Sequence, residues 1–496
     1  MQYIRDGKAQ QKKGVYMDKK KLLWYNLAFM AFTGVWSFGN VINGFATYGG
    51  VRAVLPWIII LALYFVPYSL IVGELGSAFP SEGAGVSAWI GKTMGPKLAF
   101  FAGWTYWIVH MPYISQKPSK IIVAVGWILF QDNRTQNLPP YLIAVISLAI
   151  LALAIVLALK GIGFLKKIAT VAGMATFIIS ILYVVMIFTA KAVNSDAFGN
   201  ITWSFDTFKP NINPLFFFNL SILIFAVGGC EKVSPYVNQM KKPGRDFPLG
   251  MIVLAIMTAV SALLGTVAMG MMFDSNNIPA DMMTNGGYYA FQMMGQHFGI
   301  GNSLVIVYAA CELIAQVTVI IISIDAPLKM LLDNADRKYI PEKLFKKNQN
   351  GIYVNGVKMV GIIAGIIIIL PVFGIGGMND LVVWLVKINS VCMPLRYLWV
   401  FAAYIALKKI MQRDKMQVEY RFIKNPVLGK IVGGWCFAIT AIACLMGMYN
   451  EESTIFIINI AVPIFLIGLG LIMPLIAKKT NKGTGKMIEE TEKKAQ

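Results

Sequence analysis

Apolar residues in this chain come in long runs, and polar residues gather between the runs. Twelve runs reach about 20 residues, the length a helix needs to cross the hydrocarbon core of a bilayer. They lie at about 23–47, 54–79, 97–130, 141–160, 165–190 and 214–240, then at about 249–273, 300–328, 356–374, 380–407, 430–449 and 454–477, and are numbered here as segments 1–12. None shows the strict alternation of a membrane strand, and none has the polar face of a helix lying flat on a surface. The pattern predicts an all-α integral membrane protein with twelve transmembrane helices.

Composition agrees with the pattern. Of 496 residues, 57% are hydrophobic and 14% charged, with a mean hydropathy of +0.64. A soluble domain averages about 45–50% apolar and about 25% charged residues, so this chain cannot hide its apolar surface inside a water-soluble shell. Disorder, coiled coil and a secreted disulfide scaffold are excluded together. The five cysteines sit mostly within apolar runs and form no C-x-x-C pair, which predicts no metal site and no disulfide role. No cofactor motif is present.

The formal charge of +20 reads as orientation and contact with anionic lipid, not as nucleic-acid binding. Basic residues crowd the polar tail of residues 1–22 and the connections after segments 6, 8 and 10, at Lys241, Lys242 and Arg245, at Arg337, Lys338, Lys343, Lys346 and Lys347, and at Lys408, Lys409, Arg413, Lys415, Arg421 and Lys424. The tail of residues 478–496 adds Lys478, Lys479, Lys482 and Lys486. The connections after segments 7, 9 and 11 carry Asp274, Asp281, Asp380, Glu451 and Glu452. This alternation predicts a multi-pass protein of the cell membrane with both termini cytoplasmic.

Two segments are interrupted. Segment 1 carries Gly34-Val35-Trp36-Ser37-Phe38-Gly39-Asn40, and segment 6 carries Phe225-Ala226-Val227-Gly228-Gly229-Cys230-Glu231. With five segments to a repeat, 1 and 6 hold equivalent places. Paired broken helices in inverted repeats form substrate sites near the bilayer midplane. Their freed N–H groups suit a carboxylate and their freed carbonyls an ammonium, so the pair predicts a small zwitterion. Close helix packing is the structural alternative for such glycines.

At this point the residues resemble a known family. Gly229-Cys230-Glu231 with Lys242-Pro243-Gly244-Arg245-Asp246-Phe247-Pro248 is similar to the "G-x-E…N-P-x-R-x-x-P" pattern of the amino acid–polyamine–organocation transporter superfamily, with Lys242 in place of Asn. Gly73-Glu74-Leu75-Gly76, Pro80-Ser81-Glu82-Gly83-Ala84-Gly85, Gly95-Pro96 and Asn350-Gly351 fit as well. Within the superfamily the chain looks like the glutamate/γ-aminobutyrate antiporter and YjeM-like branches. The resemblance implies a 5+5 inverted-repeat core, residues 23–190 and 214–407, with two peripheral helices in 430–477, working by alternating access. It carries the substrate-binding role onto Val35, Trp36, Ser37, Phe38 and Gly39, and onto Phe225, Ala226, Val227, Gly228 and Gly229. Val35-Trp36-Ser37 departs from the family's "G-S-G" turn, and Phe225 takes the place of a gating aromatic.

Isolated charges inside apolar segments face a cavity or a partner. Glu231 reads as a gating or structural acid, or as the partner of Lys232. Lys117 is expected to reach toward the surface and Lys120 to lie further out. A cation over the central cavity would suit a carboxylate-bearing substrate. Glu312 and Lys387 are read as an interhelical pair, with a coupling or ammonium-binding role for Glu312 as the alternative. Thr176 stands where family members carry a lysine in segment 5, leaving exchange, sodium coupling and proton coupling open. The chain has no P-loop, no H-E-x-x-H and no paired nucleophile and base. The reading is a secondary amino acid transporter, most simply an antiporter, and not an enzyme; a proton- or sodium-coupled amino acid symporter, or a transporter for a non-amino-acid solute, is the alternative.

Overall fold

The computed structural model describes residues 22–82, 85–161, 165–198, 201–333, 335–373, 376–414 and 417–495. The basic stretch of residues 1–21 and the pair Gly83-Ala84 lie outside the described residues. Every named element is a helix, and only two isolated bridges, Leu22 with Met240 and Lys347 with Tyr353, pair extended backbone among the described residues. Helices satisfy their backbone groups internally, which lipid requires. Ten helices among the described residues are long and apolar enough to cross a membrane. Large apolar side chains such as Leu153, Ile362, Ile464 and Leu475 are exposed on them, as expected of faces turned to lipid.

The two segments absent from that ten are informative. Segment 1 is two short helices, Trp24–Val35 and Phe38–Thr47. Segment 3 is Pro96–Ile108 continued by His110–Phe130, whose second part buries Ser115, Gln116, Lys117 and Ser119. Polar residues thus lower the hydropathy of the stretch that lines the interior. Two helices of more than two turns fall outside the sequence expectation: Val86–Met94, after segment 2, and Met282–His297, between segments 7 and 8. The helix of segment 12 runs from Ser453 to Ala495, past the boundary at 477.

Two apolar cores divide the interior. One gathers Leu27, Trp57, Tyr68, Leu223 and Phe247 from segments 1, 2, 6 and 7. The other gathers Trp107, Leu151, Ile324, Val360 and Leu385 from segments 3, 4, 8, 9 and 10. Segment 7 packs on segments 1 and 2, segment 8 on 3 and 5, and segment 9 on 3 and 4.

Candidate functional site

Segment 1 loses its helix at Trp36 and Ser37, both in extended backbone. Segment 6 loses its helix at Gly228, also extended, and at Gly229, whose φ of 111° is open to glycine and strained for other residues. The chain then resumes as the tighter 3-10 helix Cys230–Gln239. Each break releases carbonyls from the helical ladder, and side chains take them up. Asn40 donates through Nδ2 to the carbonyl of Val35 at 3.2 Å and to that of Ala226 at 2.9 Å. Lys232 Nζ donates to the carbonyl of Gly34 at 3.2 Å. The cation therefore lies at the C-terminal, electronegative end of the first half of segment 1.

Between the breaks and segments 3, 8 and 10 lies a cavity of about 70 Å³. One water needs about 10–15 Å³ on this measure, so the space suits a few waters or one small polar molecule. Its wall includes Trp36, Asn40, Lys117, Lys120, Lys232 and Glu312. Val35, Ser37, Thr176, Phe225, Gly228 and Arg396 also line it. The wall thus carries four cations and one carboxylate.

Not every sequence candidate reaches this cavity. Phe38 turns into an aromatic cluster, its ring centroid 4.7 Å from Tyr183, 5.8 Å from Phe291 and 6.1 Å from Tyr308. Gly39 sits in the first turn of the second half of segment 1, where a Cβ would come within 3.9 Å of Lys120 Nζ. Ala226 and Val227 are buried in packing, and the Ala226 carbonyl is taken by Asn40. Gly229 lies behind the wall, against Arg396 and Lys232. Phe225 lines the cavity with its ring 6.3 Å from that of Tyr113. Thr176 donates back to Ala172 of its own helix at 2.8 Å.

The isolated charges are arranged differently from the expectation. Lys117 does not reach the surface: it is 5% exposed, with Nζ 3.9 Å above the Tyr113 ring. Glu312 Oε2 accepts from Gln316 Nε2 at 3.0 Å, and no Glu312–Lys387 ion pair forms among the described residues. Lys387 is half-buried outside the cavity wall. Glu231 pairs with Arg396 and not with Lys232: Nε lies 3.2 Å from Oε1, an ion pair without a well-aligned hydrogen bond. Tyr106 Oη donates to the same carboxylate at 3.1 Å, and Tyr68 Oη donates to its other oxygen.

Arg396 also fixes a histidine. Its Nη1 lies 2.6 Å from His110 Nε2, and His110 Nδ1 lies 2.6 Å from the Tyr106 carbonyl. A guanidinium only donates and a carbonyl only accepts, so Nε2 carries the lone pair and Nδ1 the proton. Sequence reading passed over Arg396, although the test that singled out Glu312 and Lys387, a charge inside an apolar run, applies to it equally. Asn40, Asn43, Gln116 and Gln316 carry no such signal, since uncharged amides are common in membrane helices.

The helix Met282–His297 is fixed to the end of segment 3. Trp127 Nε1 donates to Asn285 Oδ1 at 2.8 Å, and Asn133 Nδ2 donates to Tyr289 Oη at 2.8 Å. Tyr289 Oη in turn donates to Asp281 Oδ2 at 2.5 Å, and burial together with this bond pushes the phenol well above its usual range. The Asp281 carboxylate also accepts from Asn285 Nδ2 at 2.9 Å.

A family model described as "Amino acid permease" matches residues 22–469. The chain is 46% identical over 482 residues to the aspartate/glutamate permease AcaP of Lactococcus lactis subsp. cremoris, a match that covers 94% of this chain and 97% of that one. It is 23% identical over 413 residues to the inner membrane transporter YjeM of Salmonella typhimurium, covering 78% of this chain and 81% of the relative. A glutamate/γ-aminobutyrate antiporter of Lactococcus lactis subsp. lactis is 23% identical over 454 residues, with 88% and 85% covered.

Proposed function

The chain belongs to the amino acid permease family, and from that premise we propose that it carries acidic amino acids, aspartate and glutamate, across the cell membrane by alternating access around this cavity. One observation carries the substrate class: Lys117, Lys120, Lys232 and Arg396 line the cavity against the single carboxylate of Glu312. With Arg396 paired to Glu231 and Lys232 held by the Gly34 carbonyl, the ammonium groups of Lys117 and Lys120 remain to face a bound molecule. A dicarboxylic amino acid brings two carboxylates and one ammonium, which complements such a wall, whereas a polyamine would add cations to it. The name of the AcaP relative agrees with this reading.

The α-carboxylate is assigned to the broken segments, facing the free N–H groups at the start of Phe38–Thr47. Glu312 is assigned to the ammonium. Pairwise packing of segments 2 with 7, 3 with 8 and 4 with 9 supports a 5+5 inverted repeat. The two long helices closing the chain are consistent with twelve crossings, and the loop charges support cytoplasmic termini. Exchange is the mode we put first, because three relatives at 23–25% identity are named antiporters or probable antiporters.

Counterflow in proteoliposomes tests the proposal. Vesicles preloaded with aspartate, glutamate or a neutral amino acid are given labelled aspartate. Accumulation driven by trans aspartate or glutamate, and competed by both, is the expected result. Uptake that requires an imposed proton or sodium gradient overturns exchange, and no flux of either acid by folded protein overturns the substrate class.

A further inference from the structure

Two of the cavity lysines, Lys117 and Lys120, are three residues apart on the helix His110–Phe130, so their side chains leave the same face. Neither has an ion-pair partner among the described residues. A buried ammonium without an anion is unfavourable, and a fold keeps one where an anion arrives from elsewhere. Lys117 is 5% exposed and touches the Tyr113 ring. The Lys120 ammonium reaches the first turn of the helix Phe38–Thr47, 3.9 Å from the position of a Cβ on Gly39. The two lysines thus line one side of the cavity, with Lys120 beside the helix start to which the α-carboxylate is assigned.

A third group points to a ligand at the same place. Gln116 is 2% exposed and lines the cavity, and its Nε2 has no hydrogen-bond partner. Its Oε1 accepts from Asn389 Nδ2 at 3.4 Å, an assignment that leaves the NH₂ group as the free donor. Glu312 is on the same wall, where Oε2 accepts from Gln316 and the carboxylate is the group assigned above to the substrate ammonium.

We propose that Lys117, Lys120 and Gln116 form the subsite for the side-chain carboxylate of the substrate, and that this subsite sets the preference for aspartate and glutamate over asparagine and glutamine. The inference rests on the acidic amino acid reading above and adds the residues that enforce it. An amide matches the carboxylate in shape but lacks its charge, so it leaves two ammonium groups unpaired. Lys232 takes no part in the subsite, because its Nζ is committed to the Gly34 carbonyl.

The test is uptake of labelled aspartate by the purified full chain in proteoliposomes, competed with unlabelled aspartate, asparagine, glutamate and glutamine. The wild-type protein is expected to prefer each acid over its amide at least tenfold. Lys117→Gln and Lys120→Gln should each raise the KM for aspartate at least tenfold with asparagine competition unchanged or stronger, while Lys120→Arg keeps the acid preference. Acid and amide affinities falling together, or an acid preference that survives both Gln variants, overturns the subsite. Should the variants fail to insert, competition by the β-methyl ester of aspartate decides with wild-type protein alone. Weak competition supports the subsite, and competition equal to that of aspartate overturns it. If the wild-type chain takes up neither acid, the acidic amino acid reading itself fails.

Discussion

Asn40 and Ala226 are 186 residues apart, yet the side chain of one donates to the carbonyl of the other at 2.9 Å. Because the same Nδ2 also holds the Val35 carbonyl, one amide ties the break in segment 1 to the break in segment 6. Asn40→Leu keeps the approximate volume and removes the donor. Leaving two carbonyls without it should cost about 1–3 kcal/mol, seen as a lower melting temperature in detergent, and should reduce initial uptake at least tenfold. Asn40→Asp, which replaces the amide donor by a carboxylate, should do the same. Uptake at wild-type rates in either variant would separate the tie from function.

The second break is sterically closed to larger residues. A Cβ on Gly228 would come 2.1 Å from Tyr397 Oη, closer than any non-bonded contact. Gly228→Ala is expected to abolish uptake, and adding Tyr397→Ala should restore part of it by removing the obstructing ring. Gly229→Val should also abolish uptake, since its φ of 111° is strained for a β-branched residue. Membrane insertion, measured in parallel, should stay near wild type for all three.

Glu231 and Arg396 are both fully buried. Arg396→Leu leaves a carboxylate without its cation and should destabilise by about 3–5 kcal/mol. The double variant Glu231→Leu with Arg396→Leu should be more stable than that single variant, because no charge is then left unpaired. Arg396→Lys should not restore stability, as one ammonium cannot span Glu231, His110 and Tyr397 together. Thermal melts of the set decide the matter: equal losses in the single and double variants would show that the pair does not act as a unit.

Both breaks could be read directly from the chain, because glycines, a serine and a tryptophan interrupt otherwise apolar runs. The partners that stabilise the breaks could not. Asn40 with Ala226 and Arg396 with His110 join residues 186 and 286 positions apart, and helical periodicity is silent about such distances. Lys408 shows the same limit in another form. It counts among the basic residues that orient the chain, yet it is buried in an ion pair with Glu74 at 2.5 Å. The helix Met282–His297 escaped notice because Asn285, Gly286, Gly287 and Gln292 make it look like a polar connection.

Glu74 does more than neutralise Lys408. It also accepts from the backbone N–H of Phe422 at 3.0 Å, while Ser77 accepts from that of Tyr420 at 3.0 Å. Segment 2 therefore holds down residues 417–425. Glu74→Ala should free that connection, and limited proteolysis should cut within it at least several times faster than in wild type. An unchanged cleavage rate would show that Ser77 and packing suffice to hold it.

Segment 11 lies outside the 5+5 repeat that the resemblance implies, and its attachments run inward. Thr440 Oγ1 donates to Tyr64 Oη of segment 2 at 3.0 Å, a Cβ on Gly433 would come 3.0 Å from both Tyr404 and Ile405 of segment 10, and one on Gly447 would come 2.5 Å from Ser221 of segment 6. A helix fastened at three heights to three different neighbours would have to move with any of them that tilts. Under the alternating-access proposal it would serve as a splint that carries the rocking out to the lipid, and the composition of the surrounding bilayer would then bear on how fast the carrier turns over.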